Sequence, residues 1–257
     1  MPSRLPPSAA IVIPAYNAAA TIDRTLASAA AAVSAASAAM VLEAEIVVVD
    51  DHSTDDTAAR VRAWAAREPA VRLVVLAENK GPGFARNEGV RRSAGQFLFF
   101  LDADDVFYAD HVRLCLHALL ADDSLGYVFT RTRIDLPMHA DWRASMDESN
   151  PINFCVRRIW HDLIGGFAEE PDFRTWRTED TLYRKCLRDL VKHAKIDVET
   201  CEQFVSPGNA LDRQRAKLAM SMAEWRANGG DDGFFMTEAM KQVALERLMR
   251  VHKLRGG

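Results

Sequence analysis

The sequence predicts an α/β protein in which a mostly parallel sheet is flanked by helices, with a small helical C-terminal region. Three observations carry this. Short apolar runs recur through the first half of the chain: "AAIVIP" ending at Pro14, "AEIVVVDD" ending at Asp50 and Asp51, "VRLVVL" ending near Asn79, then "QFLFFLDADD" and "GYVFTRT". Each is continuous rather than alternating and rich in β-branched or aromatic residues, as strands buried on both faces of a parallel sheet are. Helix signals fill the intervals. Polar residues follow the runs, at the strand ends beyond which open α/β sheets bind ligands.

Taken in order, "ASAAAAVSAASAAM" (residues 27–40) looks like low complexity, but alanine is the best helix former, so a covering helix is predicted. "STDDT" offers Ser53 or Thr54 as the N-cap of a helix over about 54–67, with acidic residues in its first turn. After residue 135 the alternation fades into the polar stretch "RIDLPMHADWRASMDESNP", followed by a helix-like "TEDTLYRKCLRDLVKH". Two helices separated by "NGGDDG" are expected near the C-terminus. The chain divides at residues 135 and 205 into segments 1–135, 136–205 and 206–257.

With 257 residues, 49% hydrophobic and 26% charged, the chain can bury a sizeable core as one large domain, or one domain with an appendage. A net charge of -4 gives no general attraction to nucleic acid, so a polyanionic ligand must be handled by local groups. Cys115, Cys155, Cys186 and Cys201 show no C-x-x-C pair and no metal spacing, and read as reduced thiols of a cytoplasmic protein. "MPSRLPPSAA" lacks the apolar core of a signal peptide, and no apolar run approaches the ~18 residues of a membrane span. A cytoplasmic location is expected.

The stretch "FLFFLDADDVFY" delivers Asp102, Asp104 and Asp105 directly after a buried strand. Like charges this close repel unless a cation sits among them. In extended backbone residues i and i+2 point the same way, so Asp102 and Asp104 can address one ligand. Mg²⁺ takes oxygen ligands, often one or two carboxylates plus substrate phosphates.

The combination "IVIPAYNAAATIDRTLAS", "EIVVVDDHSTDDT", "ENKGPGFARNEGVRRSAGQFLFFLDADD" and "GGFAEEPDFRTWRTEDTLYRKCL" resembles the family 2 glycosyltransferases of GT-A fold, which are Rossmann-like. The resemblance covers roughly residues 9–190. It implies an inverting hexosyl-type transferase acting in cell-envelope polysaccharide biosynthesis on a nucleoside-diphosphate sugar, UDP or dTDP linked, with Mg²⁺ or Mn²⁺. It implies that segment 1–135 binds the donor and 136–205 forms the acceptor side. Pro14, Ala15 and Tyr16 would form part of the nucleotide pocket and Asp50 would face the base. Lys80, Gly81 and Arg86 would lie near the nucleotide. "DAD" would be the D-x-D motif, with Asp102 and Ala103 near the ribose, Asp104 on the metal and Asp105 a helper. Gly165 and Gly166 would sit by the donor or acceptor sugar. Glu179 and Asp180 would be the "ED" motif, Asp180 the catalytic base. No Q-x-x-R-W motif and no apolar span follow, so single transfers are expected, to a glycan, lipid-linked or small-molecule acceptor. Ser206 stands where many relatives place a metal-completing histidine.

Simpler readings compete at several positions. Asp50 and Asp51 can cap the next helix, and "TED" reads equally as a helix start whose acidic residues favour the dipole. Arg91 and Arg92 read as a solvated helix face, and His52, His111, His117 and His161 as non-catalytic. Trp176 suits either packing or stacking on a sugar. "GPGFAR" suggests a nicotinamide-binding turn, but Arg86 replaces the third glycine and the motif follows the third strand. A sugar nucleotidyltransferase would want a glycine-rich loop where this chain has "PAYNAAAT". A catalytically degenerate scaffold is the third alternative, its C-terminal helix "TEAMKQVALERLMRVHKLRGG" docking a protein or the cytoplasmic membrane face, or simply packing.

Overall fold

A computed structural model of the chain describes residues 6–176, 178–206, 209–230 and 237–256. The first half alternates strand and helix: β1 (Ser8–Ala15), α1 (Ile22–Ala39), β2 (Glu43–Asp50), α2 (Thr57–Ala65), β3 (Val71–Val75), α3 (Pro82–Arg91) and β4 (Phe97–Phe100). Then come β5 (Val106–Phe107), α4 (His111–Ala121), β6 (Leu125–Ile134), α5 (Ala140–Ser149), a 3₁₀ turn (Pro151–Asn153), β7 (Phe154–Arg157) and α6 (Arg158–Ile164). The remainder is α7 (Pro171–Trp176), α8 (Glu179–Leu190), β8 (Lys192–Gln203), α9 (Ala210–Leu218), α10 (Met222–Ala227) and α11 (Glu238–Gly256).

The strands form one sheet in the order β3-β2-β1-β4-β7-β6-β8-β5, which runs across the division at residue 135. The first four are parallel; β7 joins β4 and β6 antiparallel, and β8 returns parallel to β6. Alternate residues of β1 serve opposite faces, which explains its uninterrupted apolar run. Ala9, Ile11 and Ile13 join Ile22 and Leu26 of α1 and Leu116 of α4 in one core. Ala10 and Val12 join Leu182 and Tyr183 of α8 and Met240, Ala244 and Val251 of α11 in the other.

Helix α3 lies close on the sheet because Gly89 has no side chain: a Cβ there would stand 2.3 Å from Val12 Cγ1. Helix α1 begins at Ile22, earlier than the alanine run. Helix α2 begins at Thr57, not 54, because the side chains expected to cap it serve the neighbouring loop. Asn17 N–H donates to Ser53 Oγ (2.9 Å), Ala18 N–H to Thr57 Oγ1 (2.8 Å) and Thr54 N–H to Asn17 Oδ1 (2.9 Å). These bonds sew the β1–α1 loop to the β2–α2 loop and hold Asn17 at φ 51°, a left-handed conformation that asparagine tolerates.

The polar stretch after residue 135 contains α5; α10 and α11 stand on either side of "NGGDDG" as expected, and α9 precedes them. The outermost, α11, buries Met240, Ala244 and Val251 while Leu245, Met249 and Leu254 remain exposed. Its Arg247 donates to Gly166 O (2.7 Å) and Phe167 O (3.3 Å). No helix among the described residues is long and apolar enough to cross a membrane.

Candidate active site

After β1 the chain passes to β2 and β3 on one side and returns to place β4 on the other. The β1/β4 boundary is therefore a topological switch point, where the two flanking loops diverge and leave a crevice beyond the strand ends. A cleft of about 1000 Å³ opens there. Its walls include Pro14, Ala15 and Tyr16 after β1, Asp51 after β2, Asn79 and Gly81 before α3, the Asp102–Asp105 turn after β4, and Glu179 and Asp180 of α8.

The turn after β4 is held by its backbone. Asp105 N–H closes it onto Asp102 O (3.1 Å). From α1, Thr21 Oγ1 donates to Ala103 O (2.8 Å), Arg24 Nη2 to Asp104 O (2.7 Å), and Thr25 Oγ1 to Ala103 O and Asp105 O (both 2.9 Å). Residues 21, 24 and 25 share one helix-end face by their 3–4 spacing. The three carboxylates then diverge. Buried Asp105 accepts from Phe204 N–H (3.0 Å) and Gln203 Nε2 (3.3 Å), which anchors the chain after β8. Burial and the charges of Asp104 and Asp102 push its carboxyl well above the usual range. Asp104 accepts one long bond from Asn209 Nδ2 (3.4 Å); burial, then Asp102, raises it too.

Asp102 faces Arg86 of α3. Arg86 Nη2 donates to Asp102 Oδ1 at 2.7 Å and Nη1 to Glu179 Oε1 at 3.0 Å. Burial alone would lower the Arg86 pKa, but Asp102 and Glu179 outweigh it and raise it, so the guanidinium stays charged. Asp180 lies beside this bridge, with Oδ1 accepting from Thr181 N–H (2.6 Å). Burial first, then the charge of Glu179, pushes its carboxyl up to about 7, against the pull of Arg86. A carboxyl tuned to that value can take a proton from a hydroxyl near neutral pH.

Four expected site residues lie elsewhere: Asp50, the Lys80 side chain, Gly165 and Gly166. Adjacent residues at a strand end face opposite ways, and Asp51 rather than Asp50 faces the cleft. Asp51 accepts from Lys80 N–H and Gly81 N–H (both 2.7 Å), while buried Asp50 accepts from Ser53 N–H (3.3 Å). Lys80 thus contributes its backbone, and its Nζ pairs outside the cleft with Glu78 (3.1 Å). Gly165 (φ 82°) ends α6, and Gly166 (φ 69°) packs on Asn87; they line a smaller, separate cavity. Arg91 and Arg92 pair with Glu88 on the helix surface. The side chain of Trp176 and residues Pro207 and Gly208 lie outside the described residues. Arg174, Gln203, Asn209 and Leu211 line the cleft without having been singled out. Only Asn209, which caps α9, had a signal in the sequence.

Among the described residues no three His, Cys, Asp or Glu side chains converge as a metal cage. The donor set suits a hard divalent cation that keeps waters and takes phosphate oxygens: Asp104, raised by burial and then by its like-charged neighbour Asp102, is the carboxylate such an ion would relieve. Ser206 lines the cleft nearby.

Residues 10–171 match the family model described as glycosyl transferase family 2. The chain belongs to glycosyltransferase family 2. This member is 41% identical over 128 residues to the succinoglycan biosynthesis protein ExoO of Rhizobium meliloti (strain 1021), a match covering 48% of this chain and 34% of that one. The chain thus spans about a third of that relative's length. Among solved structures, S. aureus TarS 1–349 in complex with UDP-GlcNAc superposes with TM-score 0.64 at 18% identity, over 96% of this chain and 73% of that one. The mannosyltransferase PcManGT from Pyrobaculum calidifontis in complex with GDP-Man and Mn²⁺ gives TM-score 0.64 at 20% identity, over 98% and 75%. The family 2 chain therefore has the GT-A fold.

Proposed function

We propose that this chain moves one sugar from a nucleoside-diphosphate sugar to an acceptor hydroxyl, with inversion, and that Asp180 is the general base. One observation carries the reading. A single cleft holds both the Asp102–Asp104 pair at a strand end and a carboxyl tuned to about 7. The acceptor hydroxyl gives its proton to Asp180 as its oxygen attacks the anomeric carbon, and the diphosphate leaves. Attack from the side opposite the leaving group inverts that carbon. Tyr16, Asp51 and the Asn79–Gly81 loop bound the nucleoside end of the donor site. A Mg²⁺ or Mn²⁺ held by Asp104 would neutralise charge on the departing diphosphate. That both solved relatives hold nucleoside-diphosphate sugars supports the donor class. The part of ExoO in succinoglycan biosynthesis supports a glycan acceptor.

A thermal-shift panel of UDP, dTDP, GDP and CDP sugars, with and without Mn²⁺, tests the reading, because a ligand that binds the folded state raises its stability. A metal-dependent shift with UDP or dTDP sugars is expected. A shift with NAD(P) instead would overturn the assignment.

A further inference from the structure

Three elements distant in sequence meet at Arg86: α3, the end of β4 and the start of α8. Arg86 and Glu179 are each 4% exposed, and the guanidinium also lies over the Phe167 ring at 5.2 Å. The arrangement is costly. A buried guanidinium–carboxylate pair such as Arg86–Glu179 gains little stability over apolar packing of the same volume, and the second carboxylate, Asp102, is only half-buried. Here it also leaves Arg86 Nε and Glu179 Oε2 buried without a hydrogen-bond partner among the described residues. Native proteins rarely leave such atoms unpaired unless the group has another task. The backbone has been shaped to admit it: a Cβ on Gly83 of α3 would stand 3.1 Å from Glu179 Cγ and 2.6 Å from Ala168 O. The glycine opens the place in which Glu179 reaches Arg86.

We infer that Arg86 and Glu179 act together as a positioning bridge, tying the first turn of α8 to the donor-binding end of β4 so that Asp180 is fixed relative to the donor. Glu179 is then the counter-charge of Arg86 and the neighbour that tunes Asp180, and it takes no proton itself. This rests on the transferase reading. Glu179 adjoins Asp180 in α8, and Arg86 links it to Asp102 through one planar group whose forked donors fix both distances and directions. The charged groups acting on Asp180 are Glu179 from its own helix, Arg86 from α3 and Asp102 after β4. Arg184 of α8 also senses Asp180.

The test is a double-mutant cycle on the full chain, with turnover, donor KM and the pH profile of kcat as readouts. Binding of UDP and of dTDP with Mn²⁺ is measured on every protein. Arg86→Met and Glu179→Leu should each lower kcat roughly 10-fold to 100-fold, and the double variant should be no worse than the poorer single, as for residues acting as one unit. Arg86→Lys should recover part of the loss. Glu179→Gln still accepts from Arg86 but carries no charge; it should cost less than about 10-fold and move the acid limb of kcat to lower pH. It also keeps the polar contact, so it provides a folded comparison if Arg86→Met does not fold. Losses that add in the double variant overturn the inference, as does an acid limb that stays in place in Glu179→Gln. If Glu179→Gln is as damaging as Asp180→Asn, Glu179 is the base and the inference is wrong. If wild type binds neither nucleotide, the transferase reading falls first; nucleotide binding retained with additive losses sinks the bridge alone.

Discussion

Replacing Asp180 with Asn should stabilise the folded protein, and do so far more at pH 8 than at pH 5. The cleft holds the Asp180 carboxyl at about 7 against a usual value of 3.8, so the folded chain binds its proton more tightly than the unfolded chain does. The sign follows from linkage. Below the unfolded value both states are protonated and nothing is lost; as pH rises toward the folded value the unfolded state is favoured, and the full cost is present above it. Roughly three pH units at 1.36 kcal/mol each give a cost of about 4 kcal/mol. Part of it is already present at pH 5, where the unfolded carboxyl is mostly ionised, which leaves roughly 2–3 kcal/mol between pH 5 and pH 8. Asparagine is neutral throughout, so the variant escapes this loss. For a domain of this size the difference is worth about 5–10 °C in Tm. Urea or thermal unfolding of both proteins at the two pH values, without nucleotide, measures it. A stability difference that is the same at pH 5 and pH 8 would refute the reasoning, and the base assignment would lose its physical support.

The same variant should lose turnover by roughly 10²-fold to 10⁴-fold while binding donor nearly as well, since a general base acts in the transition state; steady-state kinetics set beside calorimetric donor binding decide it. Asp104→Asn should abolish the metal-dependent part of nucleotide stabilisation, about 2.7 kcal/mol at a ligand concentration of 100 Kd, with the fold intact by circular dichroism. Gly89→Val should cost about 1–3 kcal/mol by urea unfolding, because its branches would enter the space of Val12 beneath α3. Thr25→Val removes the hydroxyl shared by Ala103 O and Asp105 O and should cost about 1–3 kcal/mol, with weaker nucleotide binding as the turn loosens.

The parallel half of the sheet was legible because β1, β2 and β4 are buried on both faces, and little but such a strand produces runs like "IVIP" and "FLFF". The same property hid the phase of β2. An uninterrupted apolar run does not say which face its last residue takes, so Asp50 could not be told from Asp51. Strand β8 went unread for the opposite reason. Its outer edge is mostly exposed, "KHAKIDVETCEQ" carries charges along its length, and helix signals from "TEDTLYRKCLRDL" run directly into it. The alternation in "AKIDVET" was its one signal. Strand β7 is four residues long, too short for any period to show. At the cleft, Asp102, Asp104, Glu179 and Asp180 could be singled out because their types and order are distinctive, and all four line it. The Arg86–Glu179 contact could not, since its partners stand 93 residues apart and each looks ordinary on its own helix.

The core beneath α8 has a consequence for the order of assembly. Ala10 and Val12, among the first described residues, pack in the same cluster as Met240, Ala244 and Val251, among the last. The parallel strands can pair and cover one face once α4 has left the ribosome, because β1 to β4 bury that face against α1 and α4. The other face cannot close until α11 has emerged and docked, and a contact spanning nearly the whole chain forms late and slowly. Synthesis therefore passes through a stage in which the strand-end wall of the cleft is shaped while α8 still lacks its backing. The cleft is backed on this side only once α11 has docked.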